Sequence, residues 1–404
     1  MRIVFYVLIA GASALITFGL AFAILKLSHR YRLYPKIRER DMHSRPTPRL
    51  GGVAMFIGMV AAIGIASQLT TFSIIFTEPL KVWGVLGSAL IIVLIGVADD
   101  VWDLDWVTKL AGQIIAGWVL AASGIQIYTL PILGGVAILP ASVSLIVTVL
   151  AVVLVMNAIN FIDGLDGLVA GVSLIANAVF FVYAYLLATS NNTEYFNLAS
   201  LITAVLIGAC AGFLPLNFHP AKLFMGDAGA LLVGLMMAAS AIAVTGQVDP
   251  EAWAYGGLLL PAFLPILLPF AVLVVPLLDF ALAVIRRLLA GKSPFAADRK
   301  HLHHRLIDMG HSHLQAVLIF YGWTAVFSLG CLAFMVLPWQ SASLVILAGL
   351  IACTAVTLLP LRGRARALSD AALGGPDEVK AILEAQVHEA LDAIPPTKNG
   401  APTS

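Results

Sequence analysis

Eleven stretches of this 404-residue chain are apolar over lengths that approach or reach a bilayer crossing, and that pattern leaves few folds open. A crossing helix needs roughly 20 apolar residues. In hydrocarbon every backbone N–H and C=O has to be satisfied within the segment, which restricts the choice to helices or closed barrels. The first run, Ile3 to Leu27, is too long for a signal-peptide core and is followed by basic residues instead of a small-residue cleavage site, so it reads as a retained helix. Further helices are expected near Gly52 to Leu69, Trp83 to Ala98, Leu110 to Ala122, Leu145 to Asn157, Leu168 to Thr189, Leu198 to Leu216 and Ala228 to Val244. Three more follow at Gly257 to Ile285, Ala316 to Leu337 and Ser343 to Leu361. With 60% hydrophobic residues, 11% charged and a mean hydropathy of +0.98, the chain's main solvent is lipid. The expected fold is an all-α polytopic integral membrane protein of about 11 transmembrane helices.

Gly257 to Ile285 carries Pro261, Pro265, Pro269 and Pro276, and is counted once, as a kinked helix able to line a lipid groove. Charge supports that count. Basic residues collect in cytoplasmic loops, and 21 of the 23 lysines and arginines then fall on one side, with only Arg2 and Lys81 opposite. The N-terminus is expected to be external and the C-terminus cytoplasmic. Residues 1–361 form the membrane domain, and 362–404 a tail with an amphipathic helix over Pro376 to Ile394 and a disordered end. Cys210, Cys331 and Cys353 lack metal or disulfide spacing and read as packing residues. Asn191-Asn192-Thr193 matches a glycosylation acceptor too short to carry meaning alone.

Six aspartates sit at the ends of these apolar segments: Asp99, Asp100, Asp103, Asp163, Asp166 and Asp227. Carboxylates beside hydrocarbon are costly and point to function. On the topology above they all face the cytoplasm. Asp99 and Asp103 are four apart and expected on one helix face, with Asp100 beside them and Lys109 two to three turns on. For Asp103 and Asp105 capping or loop bonding is the favoured reading. Magnesium takes oxygen ligands, often only one or two from protein, and Asp227 and Asn160 could supply them, with glycines at 164, 167, 226 and 229 allowing close backbone approach. Asp298 to Arg305 concentrates three cations and three histidines, an anion grip; the neighbouring cations oppose a zinc site. A transporter is the competing class, disfavoured because the acidic groups gather at one surface instead of the midplane.

Five motifs in order resemble the polyprenyl-phosphate N-acetylhexosamine-1-phosphate transferases, which include the phospho-N-acetylmuramoyl-pentapeptide translocase. They are Pro46 to Gly52; Asp99-Asp100 with Lys109 and Gln113; Asn157 to Gly167; Met225 to Gly229; and His301 to Arg305. The resemblance implies transfer of a sugar 1-phosphate from a UDP-sugar to a polyprenyl phosphate, with release of UMP. By the same resemblance, Asp227 and Asn160 would hold Mg2+, or alternatively Mn2+. Lys109 and Asp99 would engage the lipid phosphate, beside Asp100. Gly164 and Asp166 would hold the uracil, and His301, His303, His304 and Arg305 the diphosphate. Thr47, in the rigid turn before the second helix, joins the substrate-binding set. Direct attack by the lipid phosphate and a covalent path through Asp163 both remain open. The last-loop pattern His301-Leu302-His303-His304-Arg305 favours UDP-GlcNAc and undecaprenyl phosphate over the pentapeptide substrate, in the first membrane step of a cell-envelope polysaccharide. The enzyme would lie in the cell inner (plasma) membrane with a cytoplasmic site, as a monomer or homodimer, and no nucleic acid is expected as a partner.

Overall fold

The computed structural model describes residues 2–31, 47–132, 135–190, 197–245, 274–289, 291 and 302–374. Within them twelve α-helices follow one another: α1 Arg2–Tyr31, α2 Gly51–Ser67, α3 Pro79–Trp102, α4 Trp106–Ala122, α5 Ala141–Phe161, α6 Leu168–Ser190, α7 Leu198–Asn217, α8 Gly226–Thr245, α9 Val274–Leu289, α10 Leu302–Asp308, α11 His313–Val336 and α12 Trp339–Gly374. A 3-10 helix, Thr70–Thr77, continues from α2 after a 106° bend. The chain is a multi-pass membrane protein. Eight of the described helices are long and apolar enough to cross a membrane. Of the eleven expected crossings, α2 and α4 are 17 residues each and fall short of that length, while most of Gly257 to Ile285 lies outside the described residues. The expected groove-lining prolines 261, 265 and 269, the acceptor pattern at 191–193 and the amphipathic helix at 376–394 also lie outside them.

Helices start where a side chain can satisfy their first N–H groups. Asp105 caps α4, Asn197 caps α7 through Ser200 N at 2.8 Å, and Ser312 with Gln315 forms a reciprocal capping box on α11. Without a hydrophobic drive between helices in lipid, close packing of small residues holds them together. A Cβ added at Gly208 would lie 2.1 Å from Ala10 O, and one at Gly212 2.1 Å from Ala14 O, so α1 lies directly on α7. Ser13 Oγ adds a hydrogen bond to Val205 O at 2.7 Å.

Helix α8 is the central element, touching α2, α3, α5 and α7. Its buried face includes Leu231, Leu232, Leu235 and Met236, and Cys210 of α7 is likewise buried. Two features differ from the expected layout. The connection before α5 forms an antiparallel hairpin, β1 Thr129–Ile132 with β2 Gly135–Ile138, in the register Thr129 to Ile138. Helix α12 runs past Leu361 to Gly374, so the compositional boundary at 361/362 falls inside a continuous helix.

Candidate active site

The site is built where α3, α4, α5 and α8 end or begin. Helix α3 carries Asp99 and Asp100 in its last turn and stops at Asp103, which adopts the left-handed conformation at φ 54°. This corrects the expectation that Asp99 and Asp103 share a helix face: the chain leaves the helix at Asp103. The reversal has a consequence for Asp99, whose Oδ1 accepts Leu104 N at 2.8 Å. Asp105, exposed, then accepts the N–H groups of Val107 and Thr108 and the Thr108 hydroxyl, the capping role expected of it. Those bonds, chiefly from Thr108, hold its carboxyl below the usual carboxylate range.

Because α4 starts immediately after this turn, Lys109 comes back over the end of α3. Its Nζ lies 2.6 Å from Asp99 Oδ2 and 3.3 Å from Asp227 Oδ2, tying α3 and α4 to the first turn of α8. Asp99 is 1% exposed. Asp227 is well placed there, since a helix N-terminus favours negative charge. Asn160, at the end of α5, donates from Nδ2 to Asp227 Oδ1 at 3.4 Å, and Asn157 donates to Gln113 Oε1 at 2.6 Å, joining α5 to α4. Asp100 Oδ1 accepts Asp227 N at 3.4 Å, while its Oδ2 is buried with no hydrogen-bond partner among the described residues.

The Pro46 to Gly52 motif enters through its backbone. Phe224 N donates to Pro48 O at 2.9 Å, Gly51 N to Phe224 O at 3.0 Å and Gly52 N to Met225 O at 2.9 Å. The segment before α2 thus pairs with the segment before α8. At Gly226 the backbone turns with φ +69°, and a Cβ there would meet Asp100 Oδ2 at 2.2 Å and Arg49 O at 2.4 Å, so glycine is required. Thr47 is partly exposed at the outer end of this pairing.

The loop between α5 and α6 supplies the remaining acids. Asp163 is exposed. Loss of surrounding water, then the negative charge of Asp227, pushes its carboxyl up to about 7, with Arg49 opposing and Asp166 adding. Asp166 is buried. Its Oδ2 accepts His219 Nδ1 at 2.9 Å and Ala221 N at 3.0 Å. Gly167 donates to Asn217 Oδ1 at 3.1 Å and accepts the Tyr321 hydroxyl at 2.5 Å. Gly164 N donates to Ile162 O at 2.8 Å.

Thus the structure brings together Asp99, Asp100, Lys109, Asn160 and Asp227 and sets Asp163, Gly164 and Asp166 on the adjoining loop. Arg305 is exposed on the short helix α10, which also carries His303 and His304; His301 lies outside the described residues. Helix α10 begins at a hydrogen bond from Leu302 N to buried Asp279 Oδ1, 2.7 Å. Its neighbour α9 reaches α5, with Phe280 5.2 Å from Phe161 and Arg287 5.3 Å over the same ring. Sequence reasoning missed Asn217, His219, Asp279 and Tyr321. Asn217 ends α7 and His219 lies in the connection to α8, whose Asp227 it did single out, and two polar residues leading into a metal-type aspartate were a usable signal. Tyr321 sits in an apolar run with no local mark.

Comparison with known proteins bears on the same residues. Glycosyl transferase family 4 matches residues 82–245, the stretch holding Asp99, Lys109, Asn160 and Asp227. The chain is 40% identical to a decaprenyl-phosphate N-acetylglucosaminephosphotransferase of Mycobacterium tuberculosis over 362 residues, 88% of this chain and 89% of the relative. It is 32% identical over 300 residues to a probable undecaprenyl-phosphate N-acetylglucosaminyl 1-phosphate transferase of Bacillus subtilis, 72% of this chain and 75% of the relative. To an Escherichia coli undecaprenyl-phosphate alpha-N-acetylglucosaminyl 1-phosphate transferase it is 26% identical over 317 residues, 76% of this chain and 78% of the relative.

Proposed function

We propose a reaction from one premise: the chain belongs to glycosyl transferase family 4, as a polyprenyl-phosphate N-acetylhexosamine-1-phosphate transferase. It transfers GlcNAc 1-phosphate from UDP-GlcNAc to a polyprenyl phosphate. An oxygen of the lipid phosphate forms a bond to the β-phosphorus, the bond from that phosphorus to the bridging oxygen breaks, and UMP leaves with the bridging oxygen. The product is a lipid-linked diphosphate sugar. One observation carries this reading: Lys109 bridges Asp99 and Asp227 from three helix ends, beside a buried Asp100 oxygen with no hydrogen-bond partner among the described residues.

Lys109 and Asp99 receive the acceptor phosphate, the lysine by charge and the aspartate by fixing the lysine. Because a phosphate monoester's second pKa is near 6, little proton removal is needed at neutral pH and positioning is the larger contribution. Asp163 is the candidate for a covalent path. Direct attack by the lipid phosphate is the other path. Gly164 and Asp166 hold the uracil, and Thr47, Arg305 and the histidines at 301, 303 and 304 complete the substrate-binding set.

The donor set fits Mg2+, and Mn2+ by the same chemistry. Asp99 and Asp227 both contact Lys109, the Asp227 charge reaches Asp100 and Asp163, and Asp100 Oδ2 is buried with no hydrogen-bond partner among the described residues. Among the described residues no three His, Cys, Asp or Glu are set closely enough to cage an ion, as suits one that takes one or two protein ligands and the rest from water and phosphates. Asp227 and Asn160 would hold it. Bound there it would polarise the diphosphate oxygens.

The acceptor is a long polyprenyl phosphate, undecaprenyl as the motifs suggest or decaprenyl as in the names of the 40% relatives. The N-terminus is external, the site cytoplasmic and the membrane the cell's inner one. Parity supports eleven crossings: the described chain moves away from the site along α8 and is back beside Phe161 at Phe280, and α11 sets out from the same side, where His313 stacks on His219. Residues 1–361 form the transferase domain and 362–404 the tail.

The test incubates detergent-purified protein with radiolabelled UDP-GlcNAc, Mg2+ and either undecaprenyl or decaprenyl phosphate, beside Asp227→Ala. Label entering the lipid phase with UMP release, abolished in the variant, is expected. Turnover only with UDP-MurNAc-pentapeptide would move the donor, and silence with every donor would overturn the reaction.

A further inference from the structure

We propose that Tyr321 and His219 are positioning residues for the donor nucleotide, acting through the loop Gly164 to Gly167; this rests on the reading that Gly164 and Asp166 hold the uracil. Neither residue touches the carboxylate cluster around Lys109, and Tyr321 lies outside the residues 82–245 matched by the family model. Both instead fix the backbone and side chain of the loop that would face the base.

The loop is short and turns through Gly167 at φ +76°, a conformation with little intrinsic preference to hold one peptide orientation. Its peptide groups are held from outside. Asn217 accepts Gly167 N and the Tyr321 hydroxyl donates to Gly167 O at 2.5 Å, so both polar groups of that residue are engaged, one from α7 and one from α11. Asp166 Oδ2 takes two donors, His219 Nδ1 and Ala221 N, which leaves its side chain one orientation. His219 in turn lies flat on His313 at the start of α11, with ring centroids 5.9 Å apart and planes within 6°. The same helix therefore grips the loop twice, through Tyr321 directly and through the His313–His219 stack. The Tyr321 ring also fills the space beside Gly171, where a Cβ would sit 2.0 Å from its ring carbon, so phenylalanine at 321 removes the hydroxyl and keeps the packing.

A clamp of this kind acts on donor binding and not on the chemistry. The test measures transfer kinetics for full-length protein in detergent with Tyr321→Phe, His219→Ala and His219→Asn, together with UDP binding by calorimetry. Asparagine is the conservative choice because its amide nitrogen overlies the Nδ1 position of histidine. Losing one net hydrogen bond should raise the KM for UDP-GlcNAc, and the Kd for UDP, by about fivefold to tenfold in Tyr321→Phe and His219→Ala. The kcat and the KM for polyprenyl phosphate should stay within twofold, and His219→Asn should regain most of the donor affinity. Unchanged donor KM and UDP Kd would overturn the proposal. So would a joint fall of kcat and both affinities with a lowered melting temperature, or the absence of UDP binding by the wild type. Wild-type protein that binds UDP without transferring sugar phosphate would refute the proposed reaction separately, and the ratio of UDP Kd values would still decide the clamp.

Discussion

Replacing Lys109 with glutamine removes the cation that joins three helix ends, and the structure sets the size of the effect. Its Nζ lies 2.6 Å from Asp99 Oδ2 and 3.3 Å from Asp227 Oδ2. At an effective dielectric constant of about 20, unit charges at those separations attract by about 6 and about 5 kcal/mol before desolvation is subtracted. Removing one partner of a buried pair typically costs about 3–5 kcal/mol. The lysine side chain is 22% exposed and that of Asp227 31%, so solvent screening puts the loss at the lower end, about 3 kcal/mol. The assay is a double-mutant cycle with Asp99→Asn, reading unfolding free energy by tryptophan fluorescence in mixed micelles of rising SDS content, with chelator present. A coupling of about 2–3 kcal/mol is expected, within the range found for residues in one network. Lys109→Arg should keep most of it. In the same variants kcat/KM should fall at least tenfold for Lys109→Gln, which removes the cation proposed to receive the acceptor phosphate, about 1.4 kcal/mol or more of transition-state binding. A coupling below about 0.5 kcal/mol, the additivity expected of independent sites, with activity within threefold, would refute the reading of Lys109 as the brace of the site.

Gly52→Ala should destabilise by about 1–3 kcal/mol, because its Cβ would lie 2.2 Å from Gly229 N and only backbone can yield; Gly11→Ala, with nothing within 4 Å, is the control, and equal melting temperatures would count against the close contact. Asp163 has its folded pKa raised to about 7, so the native state keeps a proton that the unfolded chain gives up near pH 4. Its contribution to stability is therefore present at low pH and lost as pH rises from about 4 through 7, and Asp163→Asn should flatten that part of the melting profile in metal-free buffer. Asp279→Ala deprives Leu302 N of its acceptor and should lower kcat at unchanged helix content, measured by transfer assay and circular dichroism. Asp105→Ala should cost a little stability and leave transfer intact, the opposite of Asp227→Ala, when the two are assayed together.

The apolar runs made the helices legible because crossing length is a one-dimensional property. Gly226 and Gly229 beside Asp227, and Asn160 near the end of its run, could be read as a site because phosphate and magnesium chemistry demands those groups at a helix end. What escaped was set by tertiary contact. The capping or loop role favoured for Asp103 does not say where the chain goes next, and it is the left-handed turn there that sends Lys109 back over Asp99. Asp166 reads as a free ligand for a base, yet His219 and Ala221, more than 50 residues away, already hold its Oδ2. Tyr321 is an ordinary aromatic in a lipid-facing pattern, and its hydroxyl finds Gly167 across 154 residues. No periodicity encodes such partners. The hairpin before α5 was equally hidden, since four-residue strands carry too little alternation to register.

The distances in the carboxylate cluster depend on where α8 sits, and small residues decide that. Gly96 precedes Asp99 and Asp100 by about one turn of α3, and a Cβ on it would lie 2.2 Å from Ala228 Cα, the residue after Asp227. From the other side Gly52 touches Gly229 as closely. The first turn of α8 is thus pinched between the backbones of α2 and α3 one and two residues beyond Asp227. Neither contact can be moved without moving Asp227 relative to Asp99, Asp100 and Lys109. A group that must hold charge within a few tenths of an ångström is best supported by rigid elements close to it. Backbone-to-backbone contact is the least compliant support available, since it has no side-chain rotamer to absorb a shift. On this argument the glycines at 52 and 96 act on catalysis as well as on stability, and their alanine variants should lose transfer rate in excess of the fraction unfolded.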